Sequence, residues 1–379
     1  MGILPQSTLS RVLLMLVTLT TGIAMKPSPY RGLLFLLMTL FYLYTLFAPS
    51  ADTQDPEMIY QMGLSASIQM GQAFDFMIVN EPQLVLRRKD ADPKVHISKQ
   101  SLFSRLLWAT NLYINSRGAN WNFEAPNLAH STLPRPAFVV SRAKWAAFFL
   151  VALDVLNIYA KRNPILSGEV PFGTYGFGWQ TWNVMVYWTT VYCYMQFAHC
   201  VLSSITVMLG VSSVNDWPSW HGHPSTAVSI RKFWGTTWHQ ALRRPLATMG
   251  KFIANDKLRY PKGSFVSSYI QLYVAFIMSG LIHASADWIL MKNLSSFKGN
   301  LLFYSSQALV ISFEDAVVGF ANRLGMKANK FPKVLLYVWV IVCLGFTSPV
   351  WFQHMIKVGL NFAPPVSVVG YLVPTLSYS

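Results

Sequence analysis

The sequence predicts an all-α fold, a polytopic transmembrane helical bundle of about eight to nine spans with two basic cytosolic or interfacial segments. Three observations predict it. The 379 residues are 53% hydrophobic and only 12% charged, too little polar surface to cover a soluble globule. The apolar residues gather in runs long enough to cross a bilayer. The Lys and Arg residues behind the formal net charge of +15 gather in loops between those runs, as expected of a chain facing anionic lipid rather than nucleic acid.

The runs lie at about 9–25, 30–48, 58–79, 144–160, 180–210, 265–290, 300–322 and 334–353. The first has one early cation, Arg11, and no small-residue cleavage site before the second run, so it is expected to be a retained span. The third carries Asp75, and 180–210 exceeds one crossing, so it must tilt, bend or extend into an interface. A ninth segment, 355–374, contains Pro364, Pro365 and Pro374 and is expected at the interface.

Loop charge orients the chain. The segments 80–143 and 211–263 are rich in Lys and Arg, two spans apart, and are expected on the cytosolic face, with the links holding Lys26, Arg31, Lys327 and Lys330. The loop with Asp52, Asp55 and Glu57 falls opposite, as does the sequon Asn293-Leu294-Ser295. Arg231 to Ala254 reads as an interfacial helix broken at Pro245. Neither an internal repeat nor a flexible linker is visible, so residues 1–379 form a single membrane-embedded domain.

Cys193, Cys200 and Cys343 lie in apolar stretches without a CxxC pair and read as core residues. His221-Gly222-His223 is a two-ligand fragment without an evident third ligand, so no metal site is expected. The sequence contains no nucleophile elbow, P-loop or dinucleotide fingerprint, which leaves serine hydrolases, ATPases and dinucleotide enzymes without support. Asp154 and His199 fall within spans, where they would line a polar path, pair with each other or bond between helices.

Two segments carry chemistry. His283 lies 18 residues into its span, roughly 27 Å from the cytosolic end at the helical rise. An ionisable side chain at that depth needs a partner or a cavity. Ser279, Gly280, Ala284, Ser285 and Ala286 let a neighbour approach, and Asp287, four residues on, shares the helix face and is a candidate to orient the ring. The alternative is a packing histidine bonded to a neighbouring helix.

The second segment, RKFWGTTWHQALRRPL at 231–246, mixes Trp234, Trp238 and His239 with Arg231, Lys232, Arg243 and Arg244. It reads either as an aromatic belt beside a positive-inside loop or as a grip on the phosphates of a nucleotide-bearing thioester.

Together the two segments resemble the membrane-bound O-acyltransferase superfamily, in its wax-synthase-like branch. That branch has R-x-F-W-G-x-x-W-(H/N), matched by Arg231, Phe233, Trp234, Gly235, Trp238 and His239, and S-G-x-x-H, matched by Ser279, Gly280 and His283. Asn215-Asp216-Trp217-Pro218 and the acidic pair Glu314-Asp315 are similar to features of its fungal members, and the likeness is specific over 211–322. Thr236-Thr237 departs from the basic residues that many members carry there.

The resemblance implies acyl transfer from acyl-CoA, acetyl-CoA being favoured as cosubstrate with no bound cofactor, to the hydroxyl of a lipophilic acceptor such as a terpenoid or meroterpenoid. A long-chain-alcohol acyltransferase is the alternative within the branch, and a proton-coupled transporter or a scaffold the alternative outside it. The expected catalytic residues are His283 as base and His239, with Trp238, Asp287 and Ser279 in support. Acyl-CoA is expected on Arg231, Lys232, Trp234, Arg243 and Arg244, entering from the cytosolic side toward a tunnel at His283. The expected location is the endoplasmic reticulum membrane.

Overall fold

The computed structural model describes residues 7–48, 55–92, 94–325, 332–364 and 366–372. Asp52, Lys327, Lys330, Pro365 and Pro374, used above to argue topology, lie outside them. In chain order the helices are α1 (Thr8–Ala24), α2 (Arg31–Phe47), α3 (Pro56–Ala73), α4 (Pro82–Val85), α5 (Leu102–Ile114), α6 (Arg135–Arg162), α7 (Phe177–Met208), α8 (Ile230–Lys232), α9 (Arg243–Lys251), α10 (Phe265–Met291), α11 (Leu294–Arg323), α12 (Lys333–Thr347), α13 (Pro349–Lys357) and α14 (Val368–Leu372). Among the described residues the only extended pairing is a bridge between Arg88 and Trp121.

This is an all-helical membrane protein. Helices α7, α10 and α11 are long and apolar enough to cross a bilayer, and α12 with α13 makes a fourth span if the bent pair is one crossing. The sharp bend of 55° falls at Ser348-Pro349, because Pro349 begins a new helix where its missing N–H is harmless. Helices α1 and α2 are apolar but only 17 residues each.

Residues 1–126 and 241–308 form one compact unit, and 127–240 with 309–379 form a second. In the first, α1 packs on α2, α3 and α5, while α10 packs on α3 and α9. Its core includes Met15, Leu19, Ile23, Met38, Ala66, Phe76, Leu112 and Trp121. Small residues set the distance between α3 and α10: a Cβ on Gly63 would sit 3.0 Å from the Cα of Ala286. Helix α10 starts at Ser264, whose hydroxyl accepts the Ser267 N–H, and stops at Lys292 in the left-handed conformation. Asn293 then accepts the Ser295 N–H in a tight turn, and α11 runs back along α10.

Several buried polar groups in this unit find partners inside the protein. Arg31 pairs with Glu81 and donates to the Met25 carbonyl, and the Gln83 amide donates to the carbonyls of Ile23 and Met25 at 2.7 and 2.6 Å, closing the end of α1. Helix α3 widens at 74–79 into a turn closed by Asn80 N–H to the Asp75 carbonyl, five residues back. The Asp75 carboxylate, 1% exposed, receives Arg244 at 2.6 Å, Asn80 at 2.6 Å and Thr248 at 3.2 Å. The Arg244 guanidinium also lies over the Phe123 ring, 4.4 Å from its centroid.

In the second unit α7 packs between α6 and α12, over a core that includes Phe149, Leu153, Cys193 and Cys200. All three cysteines are buried and free. Asp154 accepts from the Ser367 hydroxyl at 2.8 Å and the Val369 N–H at 2.6 Å, so this buried carboxylate anchors the segment leading to α14. The His199 ring lies against Trp217 and Trp220.

Segment 231–254 differs from the expected helix broken at Pro245. The break comes earlier, where Trp238 turns extended, and Pro245 sits inside the first turn of α9, where helices tolerate proline.

The buried ion pair yields one prediction. Asp75→Ala or Arg244→Ala leaves a charge without its counter-charge and should cost about 3–5 kcal/mol of stability. Thermal unfolding of the detergent-purified protein checks it, and the double variant should lose less than the sum of the single losses.

Candidate active site

The S-G-x-x-H motif is built on α10 of the first unit. Ser279 and His283 are one turn apart and so share a face. The part-buried imidazole of His283 is held on two sides. Its Nδ1 lies 3.0 Å from the phenol oxygen of Tyr60 on α3. Its ring stacks on Tyr304 of α11, with centroids 4.9 Å apart and planes 11° from parallel.

The rest of S-G-x-x-H serves the same tyrosine. Ser279 hydrogen-bonds the Tyr304 side chain. Gly280 is where α11 comes closest, since a Cβ there would stand 3.3 Å from the Tyr304 Cβ and from the Leu301 side chain. The motif is thus a seat for one tyrosine, with the imidazole laid on its face.

Asp287 belongs to a different arrangement from the one its spacing suggests. Its Oδ2 accepts from Ser296 at 2.6 Å and Asn300 at 2.5 Å, a buried polar clasp between α10 and α11. The hydrogen bond to the Nδ1 of His283 comes instead from another helix, through Tyr60.

The other motif, R-x-F-W-G-x-x-W-H, lies in the second unit. Ser229 caps α8 by accepting the Lys232 N–H at 3.0 Å, and Glu314 accepts the N–H groups of Ile230 and Arg231 at 2.7 and 3.1 Å. Glu314 also accepts the indole N–H of Trp339 at 2.7 Å. Asp315 receives two nitrogens of the Arg231 guanidinium. The acidic pair therefore holds the start of the R-x-F-W-G segment in place.

A wide turn follows at 233–237, closed by Trp238 N–H to the Phe233 carbonyl at 2.7 Å. The Gln240 amide ties the turn again, donating to the carbonyls of Trp234 and Trp238 at 2.9 Å each. Phe233, Trp234 and Trp238 all meet the buried Trp188 of α7 at their edges, with centroids 6.0, 6.1 and 4.7 Å away. Trp188 in turn donates to Ser348 at 3.0 Å.

His239 emerges from this frame beside Trp220, Trp238 and His221. The neighbouring loop is locked on by the Gly222 N–H, which donates to the Thr237 carbonyl at 2.9 Å. A side chain at Gly222 would collide with the Thr236 carbonyl, so only glycine permits that approach. Thr237, at the position that departs from the family pattern, bonds Thr226 through its hydroxyl at 2.8 Å.

Two of the cations assigned to CoA have other partners: Arg231 is bound to Asp315 and Arg244 to Asp75. Lys232 and Arg243 are exposed. His283 belongs to the first unit and His239 to the second. Sequence reasoning missed Tyr60, Tyr304 and Trp188. The Tyr60 contact spans 223 residues of chain, so no local pattern could reveal it. Among the described residues no group of three or more His, Cys, Asp or Glu side chains is placed to hold a metal ion.

Comparison with known proteins supplies the context for these motifs. Residues 217–306, which include both, match the model of the "Membrane bound O-acyl transferase family". The chain is 25% identical over 349 residues to an acetyltransferase of Rhodocybe pseudopiperita, ple2, covering 91% of this chain and 90% of that one. It is 26% identical to the acetyltransferase eriL of Hericium erinaceus, covering 92% and 91%. It is 27% identical to the O-mevalon transferase yanI of Aspergillus niger, covering 90% and 82%. No solved structure matches it significantly. The family match over residues 217–306 spans both motif segments, and with these relatives similar along nearly the whole chain it supports an acyltransferase that resembles the membrane-bound O-acyltransferase family over that stretch.

Proposed function

We propose that the protein moves an acyl group, acetyl first among the choices, from acyl-CoA to a hydroxyl of a lipophilic acceptor, a terpenoid or meroterpenoid of secondary metabolism. The observation that carries this reading is His283: a part-buried imidazole on a long apolar helix, held by a phenol and an aromatic face. A ring with its own charge-neutral frame suits general-base work at neutral pH. The relatives named as acetyltransferases support acetyl as the donor group, and the relative named for O-mevalon transfer indicates that this kind of scaffold takes other groups.

In the reaction, His283 takes the proton of the acceptor hydroxyl as its oxygen attacks the thioester carbonyl. The carbon–sulfur bond breaks and CoA leaves as a thiolate, which recovers the proton from the imidazolium. Trp238 and His239 are assigned to the acyl group or its oxyanion, where an indole or imidazole N–H would stabilise the developing charge. Lys232 and Arg243, exposed like Arg231, are taken first among the cations proposed for the CoA phosphates. Arg231 and Arg244 support the site through their ion pairs instead. The chain is read as one membrane-embedded domain of eight or nine spans in the endoplasmic reticulum, with the basic segments cytosolic.

Purified protein given radiolabelled acetyl-CoA or palmitoyl-CoA with a panel of terpenoid and long-chain alcohols should yield labelled ester, most of it acetyl on a terpenoid. Labelled long-chain esters alone would make it a wax synthase, and absence of any ester across the panel would return the transporter reading. Both His283→Ala and His283→Asn should lose roughly 10²- to 10⁴-fold in kcat, the range of a general base. If either retains the parental rate, His283 is not the base. His239→Ala should turn over more slowly by about 10²-fold or more if it faces the oxyanion; an unchanged rate would reduce it to a packing residue.

A further inference from the structure

For Nε2 of an imidazole to act as a base, the ring proton must sit on Nδ1, and something must accept the hydrogen bond that proton makes. We infer that Tyr60 is the positioning residue that does this. It accepts the Nδ1–H of His283 on its phenol oxygen, keeps Nε2 bare toward the acceptor hydroxyl, and stabilises the imidazolium formed in the transfer. This rests on the reading of His283 as the base.

The geometry carries the inference. The Nδ1–phenol distance is 3.0 Å, and Tyr60 is only 3% exposed, so bulk water does not compete for the contact. Tyr60 sits three residues before Gly63 on α3, on the same face. Gly63 is the point at which α3 meets the backbone of α10 at Ala286, so the phenol is delivered from a helix locked against the one that bears the histidine. Tyr304 closes one ring face at 4.9 Å, which limits rotation about the side-chain torsions.

A neutral phenol in this place differs from a carboxylate: it holds the tautomer without adding a charge that the apolar surroundings would penalise. The carboxylate with the matching helical spacing, Asp287, is bound to Ser296 and Asn300. On the other elements packed against α10, Arg244 of α9 is paired with Asp75, Arg31 of α2 with Glu81, and Arg243, Lys251, Asp256 and Lys257 are exposed.

The proton ledger closes. The acceptor O–H bond breaks and its proton goes to Nε2, the ester C–O bond forms as the C–S bond breaks, and the thiolate takes the proton back. Nδ1 keeps its own proton throughout, shared with the Tyr60 oxygen.

Tyr60→Phe keeps the ring and removes only the hydroxyl. In purified enzyme with acetyl-CoA and the best alcohol of the panel, kcat should fall by roughly 10- to 100-fold while KM for both substrates stays near the parental value. The acid limb of the kcat–pH profile should move to lower pH, because an imidazolium that has lost its acceptor releases its proton more readily. A parental kcat with an unmoved acid limb would overturn the inference. Should Tyr60→Phe not fold, Tyr60→Gln, whose amide oxygen can accept from Nδ1–H, is compared with Tyr60→Leu. Partial recovery in the Gln variant supports the role, and equal loss in both with matching melting temperatures rejects it. His283→Asn is assayed alongside: an active Asn variant sinks the base reading itself, whereas an inactive one beside an unaffected Tyr60→Phe sinks only Tyr60.

Discussion

A polar side chain buried among apolar helices must find its partner inside the protein, because lipid offers none. Much of the structure can be read as the working-out of that constraint. Asp75 takes Arg244, Thr248 and Asn80; Arg31 takes Glu81 and the end of α1; Asp154 takes Ser367 and the Val369 amide; Asp287 takes Ser296 and Asn300. The pairings of Asp75 with Arg244, Arg31 with Glu81 and Asp154 with Ser367 tie together segments 169, 50 and 213 residues apart. The same rule governs His283, whose Nδ1 is met by a phenol from a helix more than two hundred residues earlier.

The rule also explains what the two motifs are made of. In S-G-x-x-H, the serine, the glycine and the histidine all address Tyr304: one bonds it, one makes room for its helix, one stacks on it. In R-x-F-W-G-x-x-W-H, the arginine is fastened to Asp315, the backbone before it is capped by Glu314, and the aromatic residues close on Trp188. Most residues of each motif thus build a rigid seat for one imidazole. Rigidity of that kind matters to catalysis because small displacements of a reacting group are expensive in rate.

Fixing those seats engages some of the basic side chains with carboxylates of the protein itself. Arg231 and Arg244, expected from their composition as phosphate ligands, each share part of their guanidinium donors with a carboxylate of the protein. An exposed cation in a basic loop can thus also hold the fold, as Arg231 does with Asp315, and composition does not reveal which ones do.

The sequence by itself determined the long-period features. Apolar length located α10 at 265–291 against an expected 265–290 and α7 at 177–208 against 180–210, because apolar runs in a membrane chain are read against a fixed thickness. The two motif histidines and the family resemblance over 217–306 were likewise visible, since they rest on residue types at short spacing. Where backbone bonding departs from the regular helix, sequence failed: the wide turns at 74–79 and 233–237 have ordinary helical composition, and Pro245 was taken for a break although it stands in a first turn. Tertiary structure alone decided that Tyr60 rather than Asp287 meets the Nδ1 of His283 and that Arg231 belongs to Asp315. Helical spacing lists which side chains share a face, but a buried group is satisfied by whatever another helix brings within hydrogen-bond reach, and only packing settles which helix that is.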